Sequence, residues 1–152
     1  MPKNYIKKYL SDDDLDAIVK KISESEKKTS GEIRLSIKVK KGYREKEFTP
    51  REMALKEFTD LRMHETRDKT GVLIFILFEE RKFEIIADSG INSRITEDEW
   101  NDLSGKLRDH FKAARYLEGI VYVIEKIGEK LSEEFPFKSD DTNELSDEVV
   151  IN

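Results

Sequence analysis

The sequence predicts an α/β domain: a three-layer α/β/α sandwich around a small mixed sheet, made of a parallel β-α-β unit and an antiparallel hairpin strand. Three observations point there. Val72, Leu73, Ile74, Phe75, Ile76, Leu77 and Phe78 run without a polar break after Gly71. A bilayer needs about 20 such residues, so this run is a strand buried on both faces and covered by helices. A helix with strong start signals separates it from an upstream strand, and such crossovers are right-handed and make the two strands parallel. The short polar link from Glu79 to Lys82 then allows only a fold back, so the next strand is antiparallel.

In chain order, Ser11 opens the first helix as N-cap with Asp14 at N3, a looser capping box, and Asp12 and Asp13 sit at the positive end of the helix dipole. Leu15, Ile18, Val19 and Ile22 recur at helical spacing and form its buried stripe. From Glu32 the period changes to two. Ile33, Leu35, Ile37 and Val39 alternate with Glu32, Arg34, Ser36 and Lys38, which predicts a strand with one face in water. Thr49, Pro50 and Glu52 then supply an N-cap, a proline at N1 and the N3 partner, and Met53, Ala54, Phe58 and Leu61 are the buried side of that helix. Beyond the apolar strand, Phe83 to Asp88 form the third strand. Thr96 with Glu99 caps a third helix marked by Trp100, Leu103, Leu107, Phe111 and Ala114. A fourth begins near Glu118, carries Ile120, Ile124, Ile127 and Leu131 on one stripe, and stops before Pro136.

At 152 residues the chain is read as a single domain, residues 1–137, followed by an acidic tail, residues 138–152, that is flexible or packs as an extended arm. Charged residues make up 40% of it, against about 25% for an average domain, so a small core lies under a heavily charged surface. The net charge is −5; the tail holds five carboxylates against Lys138 and so carries −4 of it. Nonspecific nucleic-acid binding driven by net charge is excluded on that balance. No cysteine is present, which removes disulfides, thiolate metal sites and thiol nucleophiles. The N-terminal residues MPKNYIKKYL have no apolar core, and no other stretch reads as a leader or anchor, so the expectation is a cytoplasmic protein with no membrane insertion.

The predicted topology sorts the strand ends into two poles. At one, the start of the first strand (Gly31, Glu32), the approach to the second (Asp68, Lys69, Thr70, Gly71) and the exit of the third (Asp88, Ser89, Gly90) meet. Glu32, Asp68 and Asp88, with nearby backbone carbonyls, are the materials of a hard-cation site, since calcium takes six to eight oxygen ligands and glycine lets the chain turn tightly around the ion. The competing reading is that Asp88 caps a turn and the other two carboxylates are solvated. At the opposite pole Lys38, Lys40, Lys41, Arg44 and Lys46 gather with Arg81 and Lys82, a place for a phosphate or an acidic partner, or merely a solvated loop. Tyr43 is the single aromatic among them, too few for base stacking.

Sharper motifs are excluded. His64, Glu65, Thr66, Arg67 and Asp68 resemble the zinc-protease pattern, but Asp68 stands where the second histidine is needed. His110 adjoins the Leu107 and Phe111 stripe and reads as a core-edge residue. Ser89 is not in a nucleophile elbow, no phosphate-binding glycine loop occurs, and the tail lacks the spacing of an EF-hand.

Taken together, Thr29, Ser30, Gly31, Glu32 and Ile33, then Lys69, Thr70, Gly71, Val72, Leu73 and Ile74, then Arg81 to Ile85 leading to Asp88, Ser89, Gly90 and Ile91 resemble the TPM domain family in order and spacing. Leu10 with Ser11, and Tyr116 to Ile120, open the first and last helices in the same way, and residues 143–148 resemble the ending of small stand-alone bacterial members. The resemblance covers roughly residues 10 to 131. It implies an α/β/α domain in a family whose founding members include a thylakoid-lumen protein with acid-phosphatase activity and a receptor-associated modulator, and some of whose members bind calcium. Carried over, the family's glycine-rich turn falls on Asp88 to Asn92 and its strand-one glutamate on Glu32, with Asp88 and Asn92 standing where many relatives have glycine and glutamate. The expected function is a non-catalytic module that binds a divalent cation, calcium, through Asp88, Glu32 and Asp68 and engages a protein partner. The alternative is a weak metal-assisted phosphatase acting on phosphomonoesters.

Overall fold

Gly71–Leu77 is a strand, and all seven of its residues are buried. The computed structural model of the chain describes residues 5–66, 68–136 and 149–151. Its elements are α1 (Asp12–Glu26), β1 (Glu32–Lys38), α2 (Pro50–Asp60), β2 (Gly71–Leu77), β3 (Lys82–Ala87), the single turn α3 (Ser89–Asn92), α4 (Glu97–Lys112), α5 (Tyr116–Glu134) and β4 (Val150–Ile151), with 3₁₀ turns at Tyr43–Glu45 and Met63–Glu65. The sheet order is β3-β2-β1-β4. β1 runs parallel to β2 with Glu32 opposite Gly71, and β3 runs antiparallel to β2 with Ala87 opposite Val72. Among the described residues no helix is long and apolar enough to cross a membrane.

Local chemistry sets the helix starts. Full capping boxes form at Ser11 with Asp14, Thr49 with Glu52 and Thr96 with Glu99, each satisfying two amides that the first turn leaves orphaned. The covers on the two sheet faces are unequal. Ile33, Leu35, Ile37, Val72, Ile74 and Ile76 pack under α1, α4 and α5 through Ile18, Ile22, Leu107, Ile120, Ile124 and Ile127. Leu73, Phe75, Leu77 and Ile86 meet α2 and the turn after it through Met53, Ala54, Phe58 and Met63.

Four details differ from the sequence pattern. The polar face of β1 is not wet: Glu32 is 4% exposed and Ser36 is fully buried, because α2 lies over that side of the sheet. Alternation records that two faces differ, not that the polar one reaches solvent. The third helix stops at Lys112, and Ala114 lies beyond it with φ 58°, in the left-handed position that usually goes to glycine; the Arg115 amide closes the end on the His110 carbonyl at 2.9 Å. The last helix starts at Tyr116, as the family resemblance implies, and the single turn α3 is an element the sequence pattern did not show. Finally Val150 and Ile151 form a strand parallel to Ser36 and Ile37. Residues 137–148, with the acidic stretch and the 137/138 boundary, and residue 67 lie outside the described residues.

Candidate functional site

The three segments expected to meet at the carboxylate end do so through their backbones. Glu32 is paired with Gly71, the Asp88 amide donates to the Gly71 carbonyl at 3.0 Å, and the Gly90 amide donates to the Lys69 carbonyl at 3.0 Å. A Cβ at Gly90 would overlap the carbonyl oxygens of Asp68 and Lys69, so glycine is what lets the turn seat against this loop. The side chains do not converge in the same way. Asp88 caps α3, its Oδ1 accepting from the Ser89 amide at 2.7 Å, while its Oδ2 is buried with no hydrogen-bond partner among the described residues. Glu32 and Asp68 each already have an interaction partner. Among the described residues no group of three or more His, Asp and Glu side chains is placed to hold a metal ion. A hard cation held at this end would draw on that Asp88 oxygen together with nearby backbone carbonyls and water.

The histidines stand apart from this chemistry. The His110 ring Nδ1 meets the Lys106 carbonyl at 2.8 Å, and the ring stacks on Tyr122 and crowds Gly119, as a core-edge residue should. His64 sits exposed in the 3₁₀ turn after α2, and neither histidine bonds a carboxylate or hydroxyl among the described residues. One buried acid was missed. Glu57 of α2 is half-buried over β1, where burial pushes its carboxyl up despite a hydrogen bond with Ser36. Its place four residues after Met53, on the buried stripe, was the available signal.

The basic pole divides. Lys38 pairs with Glu45 at 2.7 Å and Lys41 with Glu80 at 3.6 Å. Against the cost of its burial, the Lys38 ammonium and the Gly42 amide hold the Glu45 carboxyl below the usual range. Arg81 and Lys82 instead face a groove of about 1150 Å³ that runs along β3 between the start of α2 and the length of α4. Arg51, Arg81, Lys82, Arg108 and Lys112 line it against Glu84 and Glu97, and Phe83, Trp100 and Phe111 give it an apolar wall. Arg51 pairs with Glu84 at 3.4 Å, while the other four cations make no ion pair among the described residues. The Trp100 indole N–H is buried with no acceptor among the described residues. Sequence reading missed this groove because its walls come from three separate elements.

The family question is decided by a match between the TPM domain sequence model and residues 6–130. The chain belongs to the TPM domain family. Among solved structures this TPM domain is similar to the BA42 protein of the psychrophilic bacterium Bizionia argentinensis, with 34% identity, a TM-score of 0.84, and 93% of this chain and 94% of that one covered. It shares the fold of the N-terminal domain of a P. gingivalis protein, at 13% identity and a TM-score of 0.68 over 84% of this chain and 79% of that one. The N-terminal domain of a Corynebacterium glutamicum protein has the fold too, at 12% identity and a TM-score of 0.55 over 80% and 74%. A comparison with curated proteins finds no match.

Proposed function

We propose that this TPM domain is a non-catalytic interaction module whose working surface is the groove along β3. The supporting observation is electrostatic. A chain of net charge −5 lines one concave surface with five cations against two carboxylates, and leaves four of the five without an ion pair among the described residues. Such a surface attracts an acidic partner and loses affinity as salt rises. The carboxylate end has a secondary part in this reading. With one unpartnered carboxylate oxygen at Asp88 it would take calcium weakly, in the range of roughly 0.1–1 mM seen for sites of low ligand charge.

The test is a pair of measurements on the whole chain. Calorimetric titration with calcium should show weak uptake that Asp88→Asn lowers and Glu32→Gln leaves in place. Hydrolysis of p-nitrophenyl phosphate should stay at background with calcium, magnesium or manganese present. Turnover that Asp88→Asn abolishes would overturn the non-catalytic reading and install the phosphatase in its place.

A further inference from the structure

Among the described residues β3 is the open edge of the sheet, and its register says which backbone groups face outward. Because the Asp88 amide bonds Gly71, the pairs Leu73–Ile86, Phe75–Glu84 and Leu77–Lys82 are the hydrogen-bonded ones, and Phe83, Ile85 and Ala87 turn their N–H and C=O groups away from β2. The Ala87 carbonyl accepts from Asn92 at 2.9 Å, and the Ile85 carbonyl is met by Arg51 at only 3.4 Å. Both groups of Phe83 and the Ile85 N–H are left facing the groove.

We propose that an extended acidic peptide from another protein binds here as a fifth strand, antiparallel to β3 and directly opposite Phe83 and Ile85, the direction that gives the more stable ladder. This rests on the interaction-module reading and adds the shape and polarity of the partner. The chain's own carboxyl-terminal strand cannot serve. Val150–Ile151 is paired with β1, which puts β2 and β1 between it and β3, roughly three strand spacings of 4.8 Å away. The groove volume exceeds the roughly 300–1,000 Å³ of small-molecule pockets. The combination of an exposed strand edge with a flanking helix is how peptides add to sheets elsewhere.

The pairing also dictates an alternation. Peptide residues opposite Phe83 and Ile85 share their face of the sheet and meet the apolar wall of Trp100 and Phe111, while the intervening residues fall on the side of Lys82, which has no ion pair among the described residues, and of the paired Arg51 and Glu84. An alternating apolar and acidic sequence satisfies both faces.

The probe is therefore an acetylated octapeptide of alternating valine and glutamate, titrated into isotope-labelled full-length chain and followed at the backbone amides. Two isomers, N-methylated at every valine or at every glutamate, keep charge and side chains but block opposite backbone edges. The plain and glutamate-methylated peptides should bind alike and slow amide exchange at Phe83 and Ile85, and the valine-methylated one should bind about tenfold or more weaker, having lost two backbone hydrogen bonds. Equal binding by both isomers would overturn strand addition while leaving the interaction module standing on charge alone. No peptide binding, with inorganic phosphate shifting the same amides instead, would overturn both.

Discussion

The carboxylate end of the sheet and the groove along β3 are both rich in charge, yet the fold treats them oppositely. At the carboxylate end the segments meet through hydrogen bonds at Gly71 and Lys69, and Glu32 and Asp68 already have partners. Along β3 the cations Arg81, Lys82, Arg108 and Lys112 share a surface with an unpaired strand edge and have no ion-pair partner among the described residues. Charged side chains that a fold consumes internally organise structure; those it leaves unspent are available to a partner. Residue type does not separate the two cases, and geometry does.

Three variants sharpen that contrast. The largest effect belongs to Gly90→Ala, whose new methyl group would collide with the carbonyls of Asp68 and Lys69. Overpacking against backbone costs about 2–3 kcal/mol, read as a lower midpoint in urea unfolding. A wild-type midpoint would mean that the turn is not seated on the loop. Next comes Lys82→Glu at the exposed start of β3, on the face where the acidic residues of the peptide fall. The unfolding midpoint should hold to within about 0.5 kcal/mol, since surface changes of this kind do little. Binding of acidic peptide should fall about tenfold, or roughly 1.4 kcal/mol. Unchanged binding would remove the groove from the argument.

The smallest effect is at Glu57. Burial raises its carboxyl in the folded chain, so the fold favours the protonated form. The resulting cost is absent below the unfolded value of about 4.3 and complete above the folded one. Glu57→Gln should therefore stabilise the domain at pH 7 by about 0.5 kcal/mol, a small figure because the head is only half-buried. The gain should vanish near pH 4, and thermal melts at the two pH values would show it. A gain that persists at pH 4 would point to a cause other than ionisation.

How far the sequence could be read follows from the range of each signal. The apolar run of β2 forced a two-sided cover, the link to β3 was too short for a crossover, and three capping boxes lay within four residues each, so topology and helix starts were legible. Ser36 was misread because a buried polar face and a wet one have the same alternation until a helix is placed over it. β4 was out of reach, two residues being too few to show any period. At the candidate site, the meeting of Glu32, Gly71 and Asp88 followed from strand directions, and the turn-capping by Asp88 was one of the two readings its residue type allowed. The groove depends on which edge of the sheet the chain leaves open, and that is decided by how distant segments pack.

Val150 and Ile151 have a protective role in this light. They cover the Ser36 and Ile37 stretch of β1, on the side of the sheet opposite β3, where unpaired backbone is a template for association. Two paired residues thus leave less of that side of the sheet open to a second copy of the chain.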